Sequence, residues 1–164
     1  FAVRIRIPDR DVSELYSGEP PADGVTTIRI NGQAVDSPRK NGYAGLSRTW
    51  KAGDRITLTL PMKVQRVTGI NRIEATRRQV ALRYGPLIYC VESVDQSLDR
   101  ALPRDSELGT EWRGDLLGGV QVITGRWSDG SPLLAIPYYA RQNRHSRAPT
   151  DGRNIRSSVW IDQQ

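Results

Sequence analysis

The sequence predicts an all-β chain: an antiparallel, jelly-roll-like β-sandwich, arranged as one or two small packed sandwiches with at most short helical turns. Three observations carry this reading. Apolar residues recur with a period of two along most of the chain, turn dipeptides punctuate the runs, and helix signals are thin. Two packed antiparallel sheets are the economical way for such strands to bury their apolar faces.

In chain order, Phe1, Val3, Ile5 and Ile7 fall on one face of a strand, with Arg4 and Arg6 on the other. The segment from Gly18 to Gly24, with Pro20 and Pro21, reads as a surface loop. Thr26 to Ile30 runs into Asn31-Gly32 and on to Val35, a hairpin signature because both turn residues tolerate positive φ. A second turn over Trp50 to Asp54 is expected to join Leu46–Trp50 to Arg55–Leu60 in a meander. There Ile56, Leu58, Leu60 and Met62 share one face, and Thr57 and Thr59 point the other way. Gln79 to Tyr84 alternates, and Leu87 to Val91 is a nearly continuous apolar run that suggests a strand buried on both faces. Gly85-Pro86 between them marks a bend or bulge. Gly118-Gly119 fits a bend leading into a strand, Val120 to Thr124. That strand pairs with Leu133 to Pro137 across Ser128-Asp129-Gly130, and Ser158 to Ile161 closes the set. Asp11-x-x-Glu14 and Ser93-x-x-Gln96 have capping-box form. The second precedes Val94, Leu98 and Ala101 before Pro103, so a short helical turn is expected there. If the chain divides, the two sub-sandwiches are 1–68 and 77–164.

A length of 164 residues, 37% of them hydrophobic, is enough for a real core. One Cys and one His exclude an internal disulfide and a zinc site built from Cys and His, so no cofactor is expected in this chain. The longest charge-free stretches, Leu116 to Gly125 and Gly130 to Ala140, are about half the length of a membrane-spanning helix, and no membrane partner is expected. The opening FAVRIRIP carries no leader and reads as a strand met mid-protein, which leaves localisation undetermined. The net charge of +6 comes almost wholly from Arg, with Lys only at Lys40, Lys51 and Lys63. That invites a nucleic-acid reading, but the arginines mostly alternate with apolar residues and form no block. The scattered pattern fits solvated strand faces, and no nucleic-acid partner is expected. One denser cluster, Arg141, Arg144, Arg147, Arg153 and Arg156, lies in an aperiodic polar segment with Asp151 its one acid.

The search for chemistry finds little. His145 lies beside Ser146 in that polar segment with no nucleophile elbow, and Cys90 sits inside the apolar run as an inert core thiol. Glu74, Glu92, Asp95, Glu107 and Glu111 could pair across a sheet as acid and base, but any β-protein of this size offers such pairs, and solvated surface carboxylates are the default. Trp112, Tyr138 and Tyr139 could form a platform on which sugar rings stack, whereas Trp50 and Trp160 read as core. Alternation on a strand would bury at most one of Tyr138 and Tyr139.

In order, the segments FAVRIRIP, INGQAV, GYAGLSRTWKAGDRITLTLPM, RRQVALRYGPLIYCVE, LLGGV, IPYYARQNR and SSVWI span nearly the whole chain. Together they resemble the region after the catalytic barrel in glycoside hydrolase family 127, of the β-L-arabinofuranosidase type. The resemblance implies an upstream α/α-barrel bearing the active site, with β-sandwich domains that brace it. The family's zinc-bound cysteine thiolate and its ligands belong to that barrel, so zinc is assigned there and no catalytic role passes to Cys90. It also implies that strands ahead of Phe1 complete the first sheet, leaving an incomplete edge through which copies could associate. Between YYA and VWI the chain is longer than the family pattern. The expected function is thus a non-catalytic region bracing a barrel that acts on L-arabinofuranosides or related sugars, the alternative being a stand-alone carbohydrate-binding module. Tyr138, Tyr139, Asn143, Arg144 and Trp112 are the candidate contacts to the barrel or to sugar, with no catalytic or metal-binding residue expected.

Overall fold

A computed structural model describes residues 1–7, 13–22, 24–25, 27–144 and 155–164. Among the described residues the strands are β1 (Ala2–Arg6), β2 (Tyr16–Glu19), β3 (Thr27–Ile30), β4 (Gln33–Ala34), β5 (Arg39–Lys40), β6 (Tyr43–Ser47), β7 (Ile56–Thr59), β8 (Val64–Gly69), β9 (Gln79–Tyr84), β10 (Leu87–Glu92), β11 (Ala101–Leu102), β12 (Gly109–Arg113), β13 (Val120–Arg126), β14 (Pro132–Pro137), β15 (Ser157–Ser158) and β16 (Trp160–Gln163). The only helical turns among them are 3-10 turns at Glu74–Thr76 and Tyr138–Ala140. The all-β expectation holds. The chain divides into two compact units, Phe1–Ser13 with Pro21–Met62, and Glu14–Pro20 with Lys63–Gln164.

The first unit is a small sandwich of two three-stranded sheets, β1-β6-β5 and β4-β3-β7. Alternation places Val3 and Ile5 of β1, Ala44 and Leu46 of β6, Ile28 and Ile30 of β3 and Ile56 of β7 in one shared core. Asn31 (φ 51) and Gly32 (φ 83) turn the β3–β4 hairpin as anticipated, in the left-handed conformation of a type I′ turn. Asn41 (φ 52) and Gly42 (φ 75) turn β5 into β6 in the same way.

The expected meander does not form. β6 pairs with β1 and β5 and β7 with β3, so the turn near Asp54 lies on an arch between sheets rather than in a hairpin. Asp54 holds that arch: its carboxylate accepts from the Lys51 amide (2.9 Å) and from Asn31 Nδ2 (2.8 Å), while Asn31 Oδ1 accepts from the Arg55 amide (2.9 Å). These bonds, the Lys51 amide first, hold the Asp54 carboxyl below its ordinary range. Leu58, on the edge strand β7, is exposed, and so are Leu60 and Met62, which lie beyond the end of that strand rather than continuing it.

The second unit is one ten-stranded sheet whose main path runs β11-β16-β9-β10-β14-β13-β12, with β8, β2 and β15 joined off it. β10 is its central strand and is buried on both faces, as the apolar run suggested. Tyr89 and Val91 enter one core with Val80, Leu82, Ile123 and Trp127, whereas Cys90 enters a second with Val120, Val122 and Ile136. Gly85 (φ 56) and Pro86 make the tight connection of a β9–β10 hairpin that pairs Tyr84 with Leu87. Tyr16–Glu19 is a strand on β8, so the expected loop begins only after Glu19.

The capping-box expectation at Ser93 fails. The segment forms turns, the Ser93 hydroxyl accepts from the Arg156 amide (3.0 Å), and Gln96 turns inward. Gln96 Oε1 accepts from Trp127 Nε1 (3.0 Å) and the Leu134 amide (3.1 Å), and its Nε2 donates to the Leu134 carbonyl (2.6 Å). A buried indole N–H and a strand's free backbone groups outcompete a helix cap, because leaving them unpaired would cost about 1–3 kcal/mol each. Asp11 of the other capping-box candidate lies outside the described residues.

Cys90 is buried, and that burial first, then the charge of Glu92, pushes its thiol up to about 11 from 9.0. Burial likewise pushes Tyr89 up to about 12 from 10.0. Both groups stay protonated in the fold while the unfolded chain loses its protons first, so stability should fall as pH rises through 9 to 12. Cys90→Ala should remove the first part of that fall, between 9 and about 11, in urea titrations. Cys90→Ser should cost about 1–3 kcal/mol, since it places a hydroxyl among apolar neighbours.

Candidate functional site

The segment that follows β14 is built on Glu92, the last residue of β10. Pro137 ends β14 and Tyr138–Ala140 forms a 3-10 turn closed by the Arg141 amide on the Tyr138 carbonyl (3.1 Å). Gln142 (φ 59) then reverses the chain, and its amide donates to Glu92 Oε1 (2.6 Å). This brings the Arg144 guanidinium onto the other carboxylate oxygen: Nε and Nη2 donate to Glu92 Oε2 at 2.8 and 2.6 Å, and Nη1 donates to Asp95 Oδ1 at 2.7 Å. Glu92 is wholly buried and the Arg144 side chain is 13% exposed. Burial opposes the Arg144 charge, and the bonds from Asp95 and Glu92 outweigh it, so its pKa is raised. Arg144 forks onto the two oxygens of Asp95 and sets two N–H groups on one oxygen of Glu92, so these three charges form a fastener rather than a reactive centre.

The candidate residues separate into distinct roles. Tyr138 and Tyr139 are 45% and 66% exposed, because a 3-10 turn, unlike the alternating strand expected there, buries neither ring against the sheet. The Arg141 guanidinium lies 4.8 Å over the Tyr138 ring. Asn143 is exposed, whereas Arg144 turns inward and is used up by Glu92 and Asp95. Trp112 is 63% exposed on the edge strand β12, two strands from β14, and so lies apart from the tyrosines. Its indole is backed by Gly119 (φ 109), where an added Cβ would stand 2.6 Å from the ring. Trp50 and Trp160 are half-buried.

Sequence reasoning set Glu92 and Asp95 aside as surface carboxylates. The overlooked signal was an acid closing an apolar run in a chain that also holds an arginine cluster with a single acid. Arg147, Arg153, His145 and Ser146 lie outside the described residues. Among the described residues no group of three or more His, Cys, Asp or Glu is placed to hold a metal ion.

Arg144→Met should cost about 3–5 kcal/mol in urea unfolding, because it strands a buried carboxylate. Combining it with Glu92→Gln, which keeps an acceptor for the Gln142 amide and removes the charge, should recover much of that loss. Additive losses would show that the two groups are not coupled.

Comparison with known proteins places this architecture. Residues 64–150 match the glycoside hydrolase family 127 C-terminal domain, and residues 1–62 match the beta-L-arabinofuranosidase GH127 middle domain. A non-reducing end beta-L-arabinofuranosidase of Bifidobacterium longum subsp. longum is 34% identical over 74% of this chain and 22% of its own length. The solved structure of a GH127 beta-arabinofuranosidase superposes on 100% of the chain with a TM-score of 0.82 at 26% identity, this chain covering 28% of it. A GH127 beta-L-arabinofuranosidase from Geobacillus stearothermophilus T6 superposes on 99% of the chain with a TM-score of 0.73 at 30% identity, again over 28% of its length. The chain therefore spans between a fifth and a third of these relatives. With two family models matched in consecutive order over the two β units, the chain belongs to glycoside hydrolase family 127.

Proposed function

We propose that this chain is the non-catalytic β-sandwich region of a β-L-arabinofuranosidase-like enzyme, and that it braces a helical catalytic barrel lying upstream. The observation that carries the proposal is the Tyr138–Arg144 segment. Its base is pinned by Glu92 and Asp95, and it presents two exposed tyrosines and Arg141 to the outside. Exposed aromatic and Arg side chains on a rigid base are the usual anchors of a protein interface, where little ordering entropy remains to be lost on docking. The share of its relatives that the chain spans agrees with an accessory region.

One observation favours the second reading, a carbohydrate-binding module. The Trp112 ring, backed by Gly119 and open on its other side, has the form of a stacking platform.

The two readings separate in the longer protein that includes the upstream region. Under bracing, Tyr138→Ala with Tyr139→Ala should lower the melting temperature of the longer protein by several degrees while leaving residues 1–164 alone unchanged. The platform reading predicts no such shift, and instead a loss of arabinan binding with Trp112→Ala. Equal melting temperatures for the wild-type and double-variant longer proteins would contradict bracing.

A further inference from the structure

The outward face of the β1-β6-β5 sheet combines a partly exposed aromatic ring, flanking cations and a glycine that packing does not require. Alternation along β6 sends Ala44 and Leu46 into the core and leaves Tyr43, Gly45 and Ser47 facing out. The register then sets cations on both sides: Arg4 of β1 lies opposite Gly45, while Arg6 of β1 and Lys40 of β5 flank Tyr43. Between them runs a trough of about 630 Å³, lined by Arg4, Lys40, Tyr43, Gly45 and Ser47 among others.

Gly45 opens this trough. A Cβ built there would meet nothing within 4 Å, and its backbone is not in the left-handed region, so neither packing nor conformation requires glycine. The missing side chain leaves floor space between Arg4 and Lys40. Tyr43 is 40% exposed, and the Arg6 guanidinium lies over one face of its ring, 5.4 Å from the centre. Arg4 and Lys40 form no ion pair with a described residue, and no carboxylate lines the trough.

We infer that this trough binds a saccharide bearing carboxylates, of the uronate class. The part of the Tyr43 ring that lines the trough, not covered by Arg6, offers apolar surface to a sugar ring, and Ser47 offers a hydroxyl to the sugar's own hydroxyls. Arg4 presents a fork suited to a carboxylate, with Lys40 as a second point charge. The volume falls within the range of small-ligand sites, about 300–1,000 Å³. An acidic peptide would satisfy the cations but would leave the aromatic face and hydroxyl without specific use. The inference rests on membership of a glycoside hydrolase family and is independent of the bracing role.

Calorimetric titration with trigalacturonate, arabinotriose and triglutamate tests it on this chain. Trigalacturonate should bind at least roughly tenfold more tightly than either comparator, and its affinity should fall as salt is raised, since exposed charges are screened. Gly45→Leu, which fills the floor where nothing else stands, should abolish binding without changing the melting temperature. Arg4→Gln with Lys40→Gln should weaken binding by roughly tenfold or more and flatten the salt dependence. Absence of trigalacturonate binding would overturn the inference. So would equal affinity for triglutamate, or unchanged binding in either Gly45→Leu or the Arg4, Lys40 double variant.

Discussion

Burial of β10 on both faces is the constraint from which the second unit follows. A strand that sends Tyr89 and Val91 into one core and Cys90 into another needs cover on each side, and the ten-stranded sheet and its connecting segments supply it. At its end the same constraint reaches Glu92, whose carboxylate is wholly buried. An isolated ionised carboxylate in such a place would cost several kcal/mol, so the position is tenable only with donors on both oxygens. The Gln142 amide and the Arg144 guanidinium are those donors. The path of the chain after β14 is therefore set by the electrostatics of one residue in the central strand.

That coupling joins packing to the proposed role. While the Arg144 side chain and the Gln142 amide point inward to Glu92, Tyr138 and Tyr139 stand exposed on a 3-10 turn with Arg141 over the first ring. The first unit arrives at exposed surface by a different route. Its sheets bury one face each, and the outward face of β1-β6-β5 is shaped by register alone, with cations flanking a residue that has no side chain. Membership of glycoside hydrolase family 127 gives both surfaces a context, since the matched relatives are larger enzymes of which this chain spans a minor part.

Much of the fold was legible because its information is local. Alternation located β1 and β9, the Ser128-Asp129-Gly130 turn located the hairpin of β13 and β14, and the doubly buried β10 was readable from a nearly continuous apolar run. The Asn31-Gly32 turn was equally plain, while the identical signal at Asn41-Gly42 escaped because β5 is only two residues long and shows no alternation. The errors share a non-local cause. Asp54 was read as part of a hairpin turn, yet its partner Asn31 directs it to an arch between sheets. Gln96 looked like a helix cap until Trp127 and Leu134, far along the chain, claimed its side chain. Glu92 looked like the wet end of a strand, and its burial depends on an arginine 52 residues away. Tyr138 and Tyr139 could be identified as candidates, but their joint exposure follows from the 3-10 turn, which period-two reasoning does not anticipate.

The claim on which these points converge is that β10 and the segment after β14 form one cooperative structure through Glu92. Native-state hydrogen exchange of the Gln142 amide measures this directly, because that amide belongs to an exposed residue and its partner among the described residues is the Glu92 carboxylate. If the account holds, Gln142 exchanges as slowly as the β10 amides of Cys90 and Val91, and Arg144→Met releases it while leaving those two protected. Exchange of Gln142 at the rate of a free loop amide in the unaltered protein would contradict it.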